Sequence, residues 1–264
     1  MGKNLIYMVA VNHETSTFKN SDYAKYAKLA WKFWCKRNEI DLIVIDKHND
    51  KYTFPIWNKL DVCDVGKDYD KIAIVDSDTM VHWDAPNPFD MIDSGIYGVQ
   101  DNANLRWLND SVNNYGGEFF PDFKIDLKKY INAGVVYLDN KSLPIYENLR
   151  EFYFENQEKL DNWNKGGGRE QTLFNFLLQK NNYDVKLLPP IWNLFAMHKK
   201  EMFSHNFQDG NDLSPHFVKY SWVWHFTGFP IEARTTIMRK TWNEYGVNYT
   251  DWKWSESDES KYRI

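Results

Sequence analysis

Short apolar runs alternate with a segment of helical periodicity over the first 80 residues of the chain. Between the first two runs, apolar and aromatic residues recur at helical spacing from Ser21 to about Arg37, with Ser21 or Asp22 able to cap the helix start. The runs predict buried strands over 4–12, 41–46 and 71–76. Such alternation is typical of a mostly parallel sheet that is covered by helices on both faces.

The later part of the chain continues this α/β pattern with longer interruptions. Two more strands are predicted over 95–101 and 131–139, separated by a polar, Asn-rich loop over 102–125. Helices are predicted over about 143–160, 169–180 and 232–245. The polar residues 255–264 form a predicted C-terminal tail. No repeat or linker divides the 264 residues, so we expect a single domain of the Rossmann-like type.

Composition narrows the classes of function. The 32 basic and 37 acidic residues give a net charge of -5 without long basic runs, which argues against a nucleic-acid partner. No apolar run reaches the roughly 18 residues that span a bilayer, so we expect no membrane span. Two cysteines are too few for a disulfide framework and favour a reducing, cytoplasmic location.

Two carboxylates follow directly on the third predicted strand. The apolar run Ile72 to Val75 ends in Asp76-Ser77-Asp78, and ligands of parallel sheets bind beyond the carboxyl ends of the strands. Two carboxylates that converge there repel each other unless a cation lies between them, so the pair predicts a divalent metal site. A pair of solvated aspartates is the alternative interpretation.

A second enzyme class has a similar stretch. Haloacid-dehalogenase phosphatases carry D-x-D-x-T after a buried strand near the N-terminus, and the first Asp attacks phosphate. Here Thr79 comes one position early, Met80 occupies the Thr position, and the pair follows two earlier strands. The pattern therefore disfavours this class.

Four motifs in order resemble the glycogenin-like (family 8) glycosyltransferases of the GT-A fold. They span about residues 4–230 and are "WNKLDVCDVGKDYDKIAIVDSDTMV", "YINAGVVYLDN", "GGGREQTLFNFL" and "VWHFTG". The resemblance implies a GT-A catalytic domain over 1–254, with a nucleotide-binding half over about 1–101 and an acceptor-side half over about 102–254. It also implies transfer of a sugar from a nucleoside diphosphate sugar, with UDP as the expected nucleotide, to a carbohydrate or other hydroxyl acceptor, with retention of anomeric configuration.

The resemblance also assigns roles to individual residues. Asp76, Asp78 and His225 would hold Mn²⁺, or less suitably Mg²⁺, although a histidine between Trp224 and Phe226 could also be a plain core residue. The residues expected at the transferred sugar, in the catalytic role, are Glu170, Gln171 and Asn132. Those expected to bind the donor are Ala10, Val11, Asn12, Lys59, Asp76, Ser77, Asp101, Gly134, Gly228 and Arg234. For Lys59 a solvated surface position is the alternative.

The chain departs from the family pattern at two positions. The family's Gly-Gly-Asp-Gln becomes Arg169-Glu170-Gln171 after the glycines, and the lysine that the family often has three residues after its last signature glycine becomes Ile231. Arg234 is the nearest cation and is expected to compensate on the diphosphate. A non-catalytic or degenerate GT-A protein that only binds nucleotide or carbohydrate is the alternative function.

Overall fold

A computed structural model of the protein describes residues 2–14, 22–205 and 214–246. The predicted cap Ser21 and the predicted tail 255–264 lie outside the described residues. The strands are β1 (Asn4–Val9), β2 (Asp41–Ile45), β3 (Lys71–Asp76), β4 (Thr79–Val81), β5 (Ile96–Gln100), β6 (Ile131–Asp139), β7 (Val185–Leu187) and β8 (Val223–His225). The helices are α1 (Tyr23–Arg37), α2 (Val62–Val65), α3 (Leu105–Phe119), α4 (Pro144–Glu155), α5 (Gln157–Asp161), α6 (Arg169–Lys180), α7 (His216–Tyr220) and α8 (Ile231–Lys240).

Six strands form the central sheet, in the order β2-β1-β3-β6-β5-β7. β1 pairs in parallel with β2 and β3, and β5 pairs in parallel with β7. β6 is antiparallel to both of its neighbours, β3 and β5. Five strands therefore run in one direction, which confirms the predicted mostly parallel α/β sheet within a single domain.

The two faces of the sheet bury two hydrophobic cores. Alternate residues of β1 point to opposite faces, so that Ile6 and Met8 join one core while Leu5 and Tyr7 join the other. The first core includes residues of α1, α7 and α8, and the second includes residues of α3, α4, α5 and α6. Both faces of the sheet are thus covered, as the near-continuous apolar runs of the strands predicted.

A second, two-stranded sheet stands beside the central one. β4 pairs antiparallel with β8, and Thr79 lies opposite His225 in the register. β4 follows the carboxyl end of β3 after only two residues. This small sheet joins the end of β3 to a segment almost 150 residues later in the chain.

The predicted loop over 102–125 is wrong, because residues Leu105–Phe119 form α3. The side chain of Asn104 caps this helix by accepting a hydrogen bond from the backbone N–H of Trp107 at 3.1 Å. Buried Leu108, Ser111 and Tyr115 recur at helical spacing and face the core. Of the Asn residues that suggested a loop, Asn104 is the cap, and Asn109 and Asn113 lie on the exposed side of this helix.

Other element boundaries differ in smaller ways. The predicted helix over 143–160 is divided into α4 and α5, and the predicted helix over 232–245 is α8 followed by a π-helical turn over Thr241–Gly246. Cys35 and Cys63 are buried free thiols. Among the described residues no helix combines the length and the apolar character needed to cross a bilayer.

Candidate active site

The turn after β3 fixes the two aspartates at the edge of the sheet. The hydroxyl of Thr79 donates to the backbone carbonyl of Asp76 at 2.7 Å and accepts from the indole N–H of Trp31 at 3.0 Å. Thr79 is fully buried, Asp78 is buried and Asp76 is half-buried in the turn that Thr79 closes. The apolar strand therefore ends in a tight, anchored turn that presents the carboxylates.

The small sheet brings His225 to these carboxylates. The backbone N–H of Phe226 donates to the carbonyl of Asp78 at 2.9 Å, which locks β8 against the turn. The Nε2 atom of His225 lies 3.2 Å from Oδ1 of Asp78 and 3.9 Å from Oδ2 of Asp76. One donor atom from each of the three residues lies within 4.8 Å of the others, an arrangement that could hold a metal ion.

A chain of amides orients the imidazole of His225. Nδ1 of His225 lies 3.2 Å from Oδ1 of Asn193, whose Nδ2 donates to Oδ1 of Asn132 at 3.0 Å. Because the Asn193 oxygen can only accept, Nδ1 donates to it, and Nε2 faces the aspartates, where it can carry a second proton or coordinate a metal ion. The ring packs on Gly134, where an added Cβ would lie 2.1 Å from Cε1 of His225. Gly134 is thus required by the histidine itself.

Lys59 joins two carboxylates from distant parts of the chain. Its Nζ lies 2.5 Å from Oδ1 of Asp76 and 3.0 Å from Oε1 of Glu170, the second residue of α6. Burial alone would lower the pKa of Lys59, but the charges of Asp76 and then Glu170 outweigh it and raise the pKa above its ordinary value. Only 4% of Lys59 is exposed, so the solvated-lysine alternative is wrong.

Arg234 neutralises the second aspartate. Its Nη1 lies 2.8 Å from Oδ2 of Asp78, and its guanidinium lies over the ring of Tyr23 at 5.1 Å from the ring centroid. Burial would raise the pKa of Asp78, but the His225 ring and then Arg234 lower it to about 2. Burial opposes the charge of Glu170 more strongly than Lys59 supports it, so the pKa of Glu170 is raised.

Three further predicted residues form a hydrogen-bonded network that continues from Asn193. Oδ2 of Asp101 accepts from Nδ2 of Asn132 at 3.1 Å and from Nε2 of Gln171 at 3.0 Å. Oε1 of Gln171 accepts from the backbone N–H of Ala133 at 3.0 Å. The side chains of Asn132 and Gln171 therefore hold β6 and α6 together. Asn132 is connected to His225 through Asn193.

A cavity of about 250 Å³ opens onto these groups. Its walls are formed by Val9, Val11, Tyr23, Phe54, Pro55, Ile56, Lys59, Asp76, Ser77, Asp78, Arg169, His225, Thr227 and Arg234. The predicted residues outside these walls are Ala10, Asn12, Asp101, Asn132, Gly134, Glu170, Gln171 and Gly228. Of these, Gly228 adopts the left-handed conformation with a φ of +81° and open space at its Cα, and it follows Thr227 of the wall.

Several residues of the site were not among the sequence-based predictions. Asn193 orients His225, Phe54 and Arg169 line the cavity, and Tyr23 lies beneath Arg234. The motifs gave no signal for Asn193 or Phe54, and Tyr23 belongs to the helical pattern of 21–37, which indicates burial rather than a site. Arg169 could have been found, because it stands beside Glu170 in a motif that the sequence had already singled out.

No protein-family model matches the chain, and no curated protein sequence matches it. Solved structures do match. One is a glycosyltransferase involved in the glycosylation of the major capsid of PBCV-1, at 13% identity and a TM-score of 0.56 over 90% of this chain and 98% of that one. Another is an active-site mutant of LgtC, at 14% identity and a TM-score of 0.52 over 90% of this chain and 95% of that one.

A third similar structure is the bifunctional glycosyltransferase WbbM, at 15% identity and a TM-score of 0.50 over 86% of this chain and 46% of that one. At these identities the likeness concerns the fold alone. The chain has the mixed α/β, mostly parallel architecture of GT-A glycosyltransferases, which confirms the predicted fold class.

Proposed function

We propose that the protein is a metal-dependent retaining glycosyltransferase of the glycogenin-like (family 8) type. It would move a sugar from a nucleoside diphosphate sugar, with UDP as the expected nucleotide, to a carbohydrate or other hydroxyl acceptor. The observation that carries the proposal is the convergence of Asp76, Asp78 and His225 within 4.8 Å beside a cavity of this fold. The choice of UDP and the retention of configuration rest on the resemblance of the motifs.

The arrangement of these three residues calls for a positive ion. With its ring proton on Nδ1, His225 directs the Nε2 lone pair at Oδ1 of Asp78, 3.2 Å away. Two lone pairs at that distance repel each other, so that either a proton or a metal ion has to lie between them. Two carboxylates and one imidazole, completed by phosphate oxygens, suit Mn²⁺ better than Mg²⁺.

The chain's own residues would hold the donor for reaction. A bound ion would supply Lewis-acid stabilisation of the charge that develops on the departing nucleoside diphosphate. Lys59 keeps its positive charge and fixes Asp76 and Glu170 relative to each other through contacts of 2.5 and 3.0 Å. His225 and then Arg234 hold the pKa of Asp78 low, so Asp78 stays ionised and able to act as a ligand. Glu170, at the start of α6, would lie near the transferred sugar, next to the part of the wall that Lys59 and Arg169 form.

One observation favours the alternative, a degenerate GT-A protein that binds a nucleotide or carbohydrate without turnover. Asp76 and Asp78 already have cationic partners, Lys59 and Arg234, and these pairs reduce the electrostatic demand for a metal ion. Consumption of a sugar nucleotide separates the two functions, because a binding protein would leave the donor intact. The enzyme and a nucleotide-binding protein both predict that UDP binds in this cavity, whereas a protein that binds only carbohydrate does not.

The first prediction concerns the metal. The melting temperature of the protein with UDP should rise when Mn²⁺ is added. At a ligand concentration a hundred times the dissociation constant, this corresponds to an increase of about 2.7 kcal/mol in the free energy of unfolding. Asp78→Asn should abolish the Mn²⁺-dependent part, because it removes a charged ligand while keeping the size of the side chain. The same assay with a panel of sugar nucleotides identifies the donor.

Asp93→Asn, at an exposed position away from the cavity, is the matched control and should behave like the wild type. Release of UDP from the donor that binds best measures turnover. A wild-type protein whose UDP binding ignores Mn²⁺, or an Asp78→Asn variant with full Mn²⁺ dependence, would contradict the metal site. Binding without any release of UDP would favour the alternative function.

A further inference from the structure

Arg169 is a cation of the cavity wall to which the sequence motifs assign no role. It is the first residue of α6, directly before Glu170, and its side chain is exposed where it lines the cavity. The cavity also exposes Asp76 and Asp78. A donor bound in this cavity would therefore be able to contact both the guanidinium of Arg169 and the groups around the carboxylate pair.

The three long-chain cations of the wall differ in what they contact. Lys59 lies within ion-pair distance of Asp76 and Glu170, and Arg234 lies within ion-pair distance of Asp78. Across the described ranges, no carboxylate lies within ion-pair distance of Arg169. The charge of Arg169 is thus left for an anion that enters the cavity, whereas the other two charges are already compensated.

A stacking contact orients the guanidinium of Arg169. Its Cζ lies 4.6 Å from the centroid of the Phe54 ring, which lines the same cavity. An arginine that lies over an aromatic face is held by the ring while the N–H groups at its edge stay available to a ligand. That planar fork matches the oxygen atoms of phosphate and carboxylate groups.

The backbone at Arg169 is held in an unusual conformation. Its φ of +37° is sparsely populated for residues other than glycine. The preceding loop is fixed to α3, because the N–H of Gly168 donates to the hydroxyl of Ser111 at 3.0 Å. At Gly167, with a φ of +107°, an added Cβ would lie 2.6 Å from the same hydroxyl oxygen. Backbone strain of this kind persists only where the surrounding structure holds the residue in place, and it is common at functional sites.

From these observations we propose that Arg169 binds a phosphate oxygen of the donor's diphosphate. The identity of the donor rests on the function proposed above, whereas the anion site itself rests on the contacts of Arg169. The proposal also changes which residue is expected to compensate for the family's lysine, whose position is taken by Ile231 in this chain. The charge of Arg234 is already paired with Asp78. Arg169, at the start of α6, therefore supplies the cation that the diphosphate requires.

Titration calorimetry with Mg²⁺ tests the proposal, using inorganic diphosphate, UDP, UDP-glucuronate and uridine as ligands. Arg169→Ala should weaken the binding of inorganic diphosphate and of UDP by about ten- to a hundredfold, since a hydrogen-bonded charge is lost. Uridine should bind both proteins equally. Arg169→Lys should restore part of the affinity, because it returns the charge but not the fork.

Arg239→Ala, an exposed arginine of α8 outside the cavity, is the matched control and should bind every ligand like the wild type. Equal diphosphate affinity of Arg169→Ala and wild type would overturn the proposal, and so would a loss confined to UDP-glucuronate, which would assign Arg169 to a sugar carboxylate. Both outcomes leave the proposed function intact. Conversely, Arg169-dependent binding of diphosphate without consumption of any sugar nucleotide would remove the enzymatic function and keep the anion site.

Discussion

At the scale of single residues, the charges of the site depend on partners from remote parts of the sequence. Asp76 and Glu170 are 94 residues apart in number, yet both contact the ammonium group of Lys59. Removing one partner from a buried set of charges leaves the others uncompensated, which is more costly than the pair itself is stabilising. The site is therefore best probed by substitutions that keep shape and hydrogen bonding.

Glu170→Gln is such a substitution. The glutamine can keep an oxygen that accepts from Nζ of Lys59, at the place of the 3.0 Å contact, while the negative charge that we propose to act near the transferred sugar is lost. We expect kcat to fall by about a hundredfold or more, as when a single charge-stabilising group is removed from an active site. The affinity for UDP should change little, because Glu170 does not line the cavity of the carboxylate pair.

Steady-state kinetics with the best donor, together with titration of UDP, measures both quantities. Glu118→Gln at the end of α3 is a control outside the cavity, and its kcat should equal that of the wild type. Equal losses of kcat and UDP affinity in Glu170→Gln would mean that the residue acts on the nucleotide instead.

The sequence could identify part of this site because some of its residues belong to local patterns. Asp76 and Asp78 follow an apolar strand, and His225 precedes Thr227-Gly228, so each could be singled out from its neighbours along the chain. Asn193 could not, since only the fold brings its amide to His225 at 3.2 Å. The burial of Lys59 is also a property of the packed chain that no local pattern expresses.

At the scale of elements, β8 reaches the carboxylates because β6 lets the His225 ring lie against its backbone. Gly134 of β6 lies beneath this ring, and a Cβ there would approach Cε1 of His225 to 2.1 Å, closer than real Cβ atoms approach other atoms. Neither strand can shift freely, because β6 is paired on both sides and β8 is paired to β4. The histidine ring is therefore the part that has to move.

Gly134→Ala should consequently displace His225 and remove the Mn²⁺-dependent stabilisation by UDP. Overpacking of this kind costs about 1–3 kcal/mol of the free energy of unfolding. Gly117→Ala in α3 is the matched control, because nothing lies within 4 Å of the position that its Cβ would take. It should raise the free energy of unfolding by about 0.5–1 kcal/mol, since alanine favours a helix more than glycine does.

Thermal and urea unfolding with and without UDP and Mn²⁺ distinguish these outcomes. A Gly134→Ala protein that keeps the full Mn²⁺ effect would show that the ring of His225 is not needed for the metal. A Gly117→Ala protein that loses stability would contradict the open space at that position.

The elements also show where local patterns mislead. The polar, Asn-rich composition of 102–125 predicted a loop, whereas Leu108, Ser111 and Tyr115 form the buried stripe of α3. A buried stripe with a serine at its centre is only weakly apolar. The helix propensities of its Asn and Gly residues are low, so packing against the core provides most of the stability of α3. β4 and β7 have three residues each and are defined by their pairing rather than by their own sequences.

At the scale of the whole molecule, the alternation of strands and helices was sufficient to predict a mostly parallel sheet. It could not predict that β6 runs antiparallel between β3 and β5, because strand direction depends on which partners meet in the folded chain. The cluster of Asp76, Asp78 and His225 depends on the same long-range arrangement, since residues 76 and 225 meet only through the small sheet.

The two hydrophobic cores share one sheet, and this predicts how the molecule unfolds. Leu5 and Ile6 are consecutive in β1 and completely buried, but Leu5 packs in the core with α3, α4 and α6 and Ile6 packs in the core with α1 and α8. Truncating either one to alanine should lower the free energy of unfolding by about 2–5 kcal/mol. Because both side chains belong to one strand between β2 and β3, neither core can lose its packing while the other keeps an intact sheet.

Leu5→Ala and Ile6→Ala should therefore shift the urea midpoints of far-UV circular dichroism and of tryptophan fluorescence together. Most of the buried tryptophans, Trp31, Trp34, Trp83, Trp192, Trp224 and Trp242, lie in the core of Ile6, whereas helices of both cores contribute to the dichroism. Leu105→Ala, at a side chain that is 65% exposed, is the control and should change the stability by less than about 0.5 kcal/mol. If Leu5→Ala lowered the dichroism midpoint and left the fluorescence midpoint unchanged, the cores would unfold separately, and the sheet would not be the element that couples them.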